Sequence, residues 1–275
     1  MQKLSAMATK PVYTARTADK YVLYQESVQN TEFEVQMVER FFKKFRGQSP
    51  VLLREDFSGT FLFACDWVRR NKKYQALCVD IDPEPIQWGR KHNLSQLSQA
   101  EQSRITIKEA DVLKVHKPLA DIVVAFNFSY WLFKEREQLK TYFQSVYQSL
   151  GPKGMFVMDS FGGSAAHSEQ EEPRKCEGFE YIWEHEKFHP LTSEMRCKIH
   201  FNFKDGTKIR NAFVYDWRLW TPLEVRELLG EVGFQKVEFY WEGTDQETGE
   251  GNGIFRPAKR GEAAECWIAY IIGLK

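Results

Sequence analysis

The chain has 275 residues, 43% of them hydrophobic, so it can bury a sizeable core and global disorder is excluded. Its 38 basic and 38 acidic residues cancel, which removes any overall attraction to polyanions and disfavours nucleic acid as a partner. Five scattered cysteines with no Cys-x-x-Cys pair argue against a disulfide framework or a cysteine zinc site, and no apolar run approaches the ~20 residues a membrane span needs. The opening MQKLSAMATKPVY lacks the apolar centre of a signal peptide, so a cytoplasmic protein that avoids membranes is expected.

In chain order, residues 51–54 read as a first strand, followed by an amphipathic helix over 60–71. Residues 75–80 form a second strand, and the next helix opens at Pro83 with Asp82 as its cap, since proline suits the first helical position. Further strands are expected at 105–108, 121–126 and 155–159, with a helix over 135–150. Runs such as IVVAF and MFVM are apolar on both faces, as strands covered on both sides require. This βα alternation predicts an α/β fold with a doubly wound parallel sheet. After Gly162-Gly163 the pattern changes. Residues 167–177 read as an exposed acidic loop, and 179–188, 195–203 and 208–219 as antiparallel strands with a hairpin turn at Asp205-Gly206. Thr221-x-x-Glu224 is a capping box for a helix to about 231. Strands at 235–241 and 266–272 close the chain around the turn-rich stretch GTDQETGEGNG.

The stretch from Leu53 to Thr60 sits at the junction of the first strand and first helix, where doubly wound sheets bind ligands. Gly59 lets the backbone approach a ligand, and helix N-terminal N–H groups face it. Asp80 closes the second strand 21 residues later, a spacing suited to a carboxylate that accepts both hydroxyls of an adenosine ribose. Asp111, after the third strand, is placed to read an adenine amino group.

These motifs resemble the class I S-adenosylmethionine-dependent methyltransferases of the small-molecule type. Glu55-Asp56-Phe57-Ser58-Gly59-Thr60 falls on that family's acidic, glycine-rich first turn. Asp80-Ile81 falls on its second-strand acid, Asp111-Val112 on its third-strand motif, and Asn127-Phe128-Ser129-Tyr130 on its fourth. The resemblance implies a Rossmann-like seven-stranded sheet with an inserted antiparallel β unit, and S-adenosyl-L-methionine as cofactor. It implies a cofactor site of Tyr21, Arg54, Glu55, Asp56, Phe57, Ser58, Gly59, Thr60, Asp80, Ile81, Asp111, Val112, Asn127 and Phe128. The departure is that Phe57 and Phe61 stand where the family usually has glycine. A nicotinamide dinucleotide is the competing ligand, but its pyrophosphate depends more on the missing glycines. Acids such as Glu55 and Asp56 suit an ammonium and a sulfonium better.

Aromatic residues reach 15%, which suggests an aromatic-lined cavity or interface. Trp131 follows the fourth strand, where it either lines the acceptor site or packs the next helix, and Asn127 and Tyr130 are catalytic candidates there. Lids of this family imply roles for Tyr21 and Tyr24; an amphipathic cap on the sheet is the alternative. In the insert, strand alternation puts Tyr181, Trp183 and His185 on one face, with His185 a candidate proton acceptor. Trp217 and Arg218 complete the substrate candidates, Arg218 as a clamp for a carboxylate or else a surface ion pair. His185-Glu186-Lys187-Phe188-His189 spells H-E-x-x-H, but a strand separates those imidazoles by ~13 Å, so no metal is expected. His92, His116, His167 and His200 are expected on the surface or in loops, and the cysteines in the core.

The expected domains are an N-terminal helical lid over 1–45, the cofactor-binding core over 46–163, the antiparallel insert over 164–220, and the rest of the core over 221–275. The expected activity is methyl transfer to nitrogen or oxygen of a small molecule, with an RNA or protein target, or a nucleotide sensor without chemistry, as alternatives. The inserted strands could also serve a homodimer.

Overall fold

A computed structural model describes residues 13–245 and 247–275; residues 1–12 of the expected lid, and Gln246 of the turn-rich stretch, lie outside the described residues. The strand ends follow the apolar runs. Helix α1 spans Lys20–Ser27 and α2 Thr31–Arg46, which stops at Gly47 in the left-handed conformation (φ 67°). Strand β1 (Leu52–Asp56) is followed by α3 (Leu62–Arg70), β2 (Gln75–Asp80) and α4 (Pro83–His92), capped by the Asp82 side chain. A short α5 (Gln99–Gln102) leads to β3 (Ile105–Glu109), then β4 (Ala120–Ala125), α6 (Arg136–Ser149) and β5 (Leu150–Gly162). Four strands come next, β6 (Gln170–Lys175), β7 (Phe179–His189), β8 (Glu194–Phe203) and β9 (Lys208–Arg218). Helix α7 (Pro222–Val232) opens on the Thr221–Glu224 capping box, and β10 (Lys236–Thr244), β11 (Gly251–Pro257) and β12 (Trp267–Leu274) complete the chain.

The chain parts into two compact units, residues 30–167 with 217–275, and residues 13–29 with 168–216. The larger unit holds an eight-stranded sheet in the order β11-β10-β12-β5-β4-β1-β2-β3. Strands β1 to β5 run parallel, and β12 is antiparallel to both β5 and β10. Strand order reverses between β1 and β4, so a crevice opens beyond the carboxyl ends of those two strands. Leu53, Cys78, Ile122, Val124 and Val157 are fully buried, because helices cover both faces of the parallel strands.

Two strands differ from the sequence expectation. Residues 170–175 form β6, an edge strand paired antiparallel with β7, and not a loop. Residues 251–257 form β11, an eighth strand on the sheet expected to have seven. Both are exposed edges, so their side chains carry no buried alternation for a period-two pattern to report. Pro173 is tolerated in β6 because an edge strand has backbone groups without ladder partners.

The smaller unit is the four-stranded sheet β6-β7-β8-β9 with α1 on it. The boundary between the units falls at residues 29 and 30, so α1 and α2 belong to different units. Leu23, Phe179, Ile199 and Phe201 form the centre of its core, with Tyr24, Tyr181, Trp183 and Tyr215 packed against them. On β8, His200 is buried: its Nδ1 accepts from the Asn211 N–H at 2.8 Å, and its Nε2–H faces Glu184 at 2.8 Å. That corrects its expected surface position. Of the cysteines, Cys65, Cys78 and Cys197 are buried, while Cys176 is half-buried and Cys266 exposed, so only three pack in the core.

Candidate active site

The turn after β1 keeps the backbone that glycines would adopt, although two phenylalanines occupy it. Phe57 (φ 55°), Gly59 (φ 50°) and Phe61 (φ 47°) are all left-handed. This conformation is costly for a bulky side chain and persists only where the surroundings fix it. Both rings are anchored by packing. Phe57 lies against Tyr142 and Phe133, with ring centroids 5.4 and 6.1 Å away, and Phe61 is fully buried. Gly89 of α4 makes room for Phe61: a Cβ there would meet the Thr60 carbonyl oxygen at 2.5 Å and the Phe61 ring at 2.7 Å. Gly89→Ala is therefore expected to destabilise the protein by about 1–3 kcal/mol through overpacking. Urea unfolding checks this, and a neutral result would mean that the turn moves freely.

Asp80 ties the turn to the end of β2. Its Oδ2 accepts the Gly59 N–H at 2.7 Å and its Oδ1 the Asp82 N–H at 2.9 Å. A carboxylate has about four acceptor sites, so acceptor capacity remains beyond these N–H groups. Ile81 beside it is 69% exposed, a large apolar side chain that a ring could cover. Ser58 Oγ is buried in the turn with no hydrogen-bond partner. A buried hydroxyl of this kind leaves a donor and an acceptor unused at the turn.

Arg54 and Asp56 are placed otherwise than a ligand-contacting pair would be. Arg54 is 0% and Asp56 1% exposed. Arg54 Nε donates to Asp56 Oδ1 at 2.5 Å, its other nitrogens to the Val112 carbonyl at 2.8 Å and to the Val115 carbonyl, and Tyr142 Oη donates to Asp56 Oδ2 at 3.0 Å. The pair thus holds the loop after β3 against β1, with its hydrogen-bonding capacity spent inside the protein. In that loop Asp111 Oδ1 accepts the Leu113 N–H at 2.9 Å, and Val112 is 5% exposed, its carbonyl shared between Arg54 and Ser145.

After β4 the chain again turns left-handed at two consecutive residues, Asn127 (φ 55°) and Phe128 (φ 57°). Their N–H groups donate to the two oxygens of Asp159 on β5, at 2.8 and 2.9 Å. Phe128, Trp131, Phe161 and Trp217 form an aromatic cluster there, with ring centroids between 4.7 and 6.2 Å apart. Tyr130 and Trp131 are fully buried, and Tyr130 Oη, Trp131 Nε1 and Ser160 Oγ lack well-formed hydrogen bonds. Burial pushes the Tyr130 hydroxyl up, so it remains protonated.

Glu34 on α2 was missed in the sequence because an acid in a first helical turn reads as a dipole partner. Its carboxyl is pushed up to about 8 by burial and then by Asp159. Burial raises Asp159 to about 7, despite the two N–H groups that oppose the shift. Burial likewise raises Glu55 well above the usual carboxylate range, with Glu34, Asp80 and Asp56 adding repulsion, while the Ala64 N–H at 3.2 Å opposes it. Asp80 is raised too, chiefly by burial. None of these four acids forms a salt bridge among the described residues.

The substrate candidates divide between the units. Tyr21 and Tyr24 pack on Phe213, with ring centroids 5.9 and 4.8 Å away. Arg174 lies over Tyr181, 4.9 Å from its ring centroid. His185 is 6% exposed, and its Nε2 accepts from the Trp183 indole N–H at 2.6 Å. Burial lowers its affinity for a proton. An indole only donates, so the neutral ring carries its proton on Nδ1, and the lone pair a general base would use is engaged. His185 and His189 lie on β7, a strand and not the helix that H-E-x-x-H requires. In the larger unit Arg218 donates to the Lys134 carbonyl at 3.0 Å and to Glu224 at 3.1 Å, and stacks 3.6 Å from the Trp220 ring centroid. That geometry ties Arg218 to α7 through Glu224 and engages both terminal nitrogens of the guanidinium inside the protein. Arg218 and His185 therefore read as structural in this arrangement.

No protein-family model matches the chain, and no curated protein sequence is similar to it. Solved structures are similar in fold. One is S-adenosylmethionine-bound CalS10, an amino pentose methyltransferase from Micromonospora echinaspora involved in calicheamicin biosynthesis (TM-score 0.63, 12% identity, 96% of this chain and 99% of that one). Another is DesVI of Streptomyces venezuelae (TM-score 0.64, 14% identity, 94% and 99%). A third is an S-adenosylmethionine-dependent methyltransferase of Clostridium acetobutylicum (TM-score 0.62, 15% identity, 92% and 97%). The chain has the Rossmann-like fold of these methyltransferases, with a separate antiparallel four-stranded sheet.

Proposed function

We propose that this protein is an S-adenosylmethionine-dependent methyltransferase acting on nitrogen or oxygen of a small molecule. The observation that carries the reading is a set of four acids with no cationic partner around the carboxyl ends of β1, β2, β4 and β5, of which Glu55 and Asp159 are buried and Glu34 and Asp80 half-buried. Acids held above their usual range by burial and mutual repulsion gain from a ligand that brings positive charge. The methyl donor carries an ammonium and a sulfonium, whereas the pyrophosphate of a nicotinamide dinucleotide would add negative charge beside them. Asp80, with Ser58 and Ile81, fits the nucleoside half, and the turns at 57–61 and 126–128 border the other half. The left-handed backbone at Phe57 and Phe61 is the one glycines would adopt, which supports a donor-binding turn there.

When bound, the donor supplies a methyl group on cationic sulfur, open to in-line displacement. The protein's part is to bind, orient and exclude water. Glu34, Glu55 and Asp159 favour the cationic ligand, and the cluster of Phe128, Trp131, Phe161 and Trp217 offers ring faces that favour positive charge. Tyr130, buried and protonated, can act as a hydrogen-bond donor and not as a base. Neighbouring folds include an amino pentose methyltransferase, which supports a small acceptor.

Calorimetric titration with S-adenosylmethionine, its demethylated product and NAD tests the proposal. Binding of the first two and no heat from NAD is expected. Silence from the methyl donor with clear NAD binding would overturn it. The acids add a pH dependence. Asp159 and Glu34 take up protons in the free protein below about 7 and 8 and release them when a cation binds, so donor affinity rises as pH climbs through that region. A raised carboxylate also stabilises the free protein most at low pH, and this contribution is lost as pH rises through 7 to 8. Free-protein Tm therefore falls as pH rises from about 4 towards 7 to 8 and levels off above that, and saturating donor narrows the fall. A pH-independent affinity, with no proton release in buffers of different ionisation enthalpy, would remove these acids from the donor site.

A further inference from the structure

We propose that Asp159 is a positioning residue that shapes the donor site by clamping the turn after β4. Its carboxylate accepts two successive backbone N–H groups, Asn127 at 2.8 Å and Phe128 at 2.9 Å. Both residues are left-handed without being glycine, and two such positions in a row need a strong local constraint. A 6% exposed carboxylate receiving two charge-assisted hydrogen bonds is such a constraint. The clamp joins neighbouring strands, since β4 pairs with β5 in parallel and Ala125 lies opposite Met158. It also sets the aromatic cluster, because Phe128 carries the ring that meets Phe161, Trp131 and Trp217.

The inference rests on the methyl-donor reading and adds a direction to it. Sheet order places β4 beside β1 on the side away from β2. A nucleoside held by Asp80 at the end of β2 therefore sends its sulfonium and amino-acid tail toward β1 and β4. Asp159 governs the tail end and leaves the nucleoside end alone. Replacing it by asparagine leaves one acceptor oxygen and turns an amide N–H toward the other backbone N–H, which opens the turn.

The test is calorimetry on wild type and Asp159→Asn, with adenosine and S-adenosylmethionine as probes and Tm as the fold control. The expected result is a loss of donor affinity of about tenfold or more, with adenosine affinity changed by less than about twofold. Equal losses for both probes would show a general structural role and overturn the inference, as would unchanged donor affinity. If wild type binds neither probe, the methyl-donor reading fails first, and the two failures are thereby distinct. Should Asp159→Asn fail to fold, the wild-type chain and Glu34→Gln still answer. Amide proton shifts of Asn127 and Phe128 are expected to move together in one titration when pH is varied. The other titratable groups facing Asp159 are Glu34 on α2, Tyr130 after β4 and Tyr270 on β12. The tyrosines are held above their ordinary values, leaving Glu34 as the group to remove by Glu34→Gln. Independent or absent titration of the two amides in Glu34→Gln overturns the clamp.

Discussion

Asp80→Ala is expected to lower affinity for S-adenosylmethionine by roughly 100-fold or more, which would remove binding under ordinary assay conditions. Two losses combine in this variant. The hydroxyls of a bound ribose lose a charged acceptor, and the Gly59 N–H, now satisfied at 2.7 Å, loses its partner in the turn. The second loss loosens the left-handed run at Phe57, Gly59 and Phe61 on which the ligand would lie. Asp80→Asn separates the two effects. It keeps one acceptor, so a Gly59 or Asp82 bond survives and the loss is smaller. Calorimetry with the donor and with its demethylated product measures both variants. Donor affinity of Asp80→Ala within twofold of wild type would exclude Asp80 from the site.

Arg54→Met is expected to cost about 3–5 kcal/mol of stability, the largest single-site effect on folding. The guanidinium is completely buried and compensates Asp56, which is buried beside it. Removing only the cation leaves an uncompensated carboxylate, which burial already pushes up. The protein then folds better at low pH, where Asp56 is protonated: its raised affinity for a proton stabilises below that point and is lost as pH rises through it. The carbonyls of Val112 and Val115 also lose their donor, so the loop carrying Asp111 loosens. Arg54→Met combined with Asp56→Leu recovers much of the loss, because replacing both members leaves no orphan charge. Urea unfolding of the single and double variants decides. A single-variant cost below about 1 kcal/mol, or a double variant worse than the single, would show that the pair does not act as a unit.

Much of the larger unit was legible in order along the chain. Strand β2 lies at the expected residues, Asp82 caps α4, and Thr221 with Glu224 forms the expected box. These signals are local: a run apolar on both faces, a cap residue, and proline at a helix start each act within a few residues. Strands β6 and β11 were not legible, because an exposed edge strand depends on pairing with a distant neighbour more than on its own side chains. Within the candidate site, motif spacing pointed to the turn at 55–60 and to Asp80. Glu34 and Asp159 were not, since neither belongs to a motif and each gains its character from what surrounds it.

Local signals along the chain were enough for the α/β order, the turn after β1 and the acid that closes β2. Such features depend on periodicity and spacing, which survive without knowledge of the partners. Only the folded chain shows which charged residues have spent their hydrogen bonds inside the protein and which have capacity left. Arg54 and Asp56 lie next to Glu55 in the same motif, yet they spend their hydrogen bonds on Tyr142 and the loop after β3. His185 similarly gives its lone pair to Trp183. Exposure and hydrogen-bond partners come from segments 30 to 100 residues apart as well as from neighbours, so a side chain's role as ligand contact or structural strut is settled only when the chain has closed on itself.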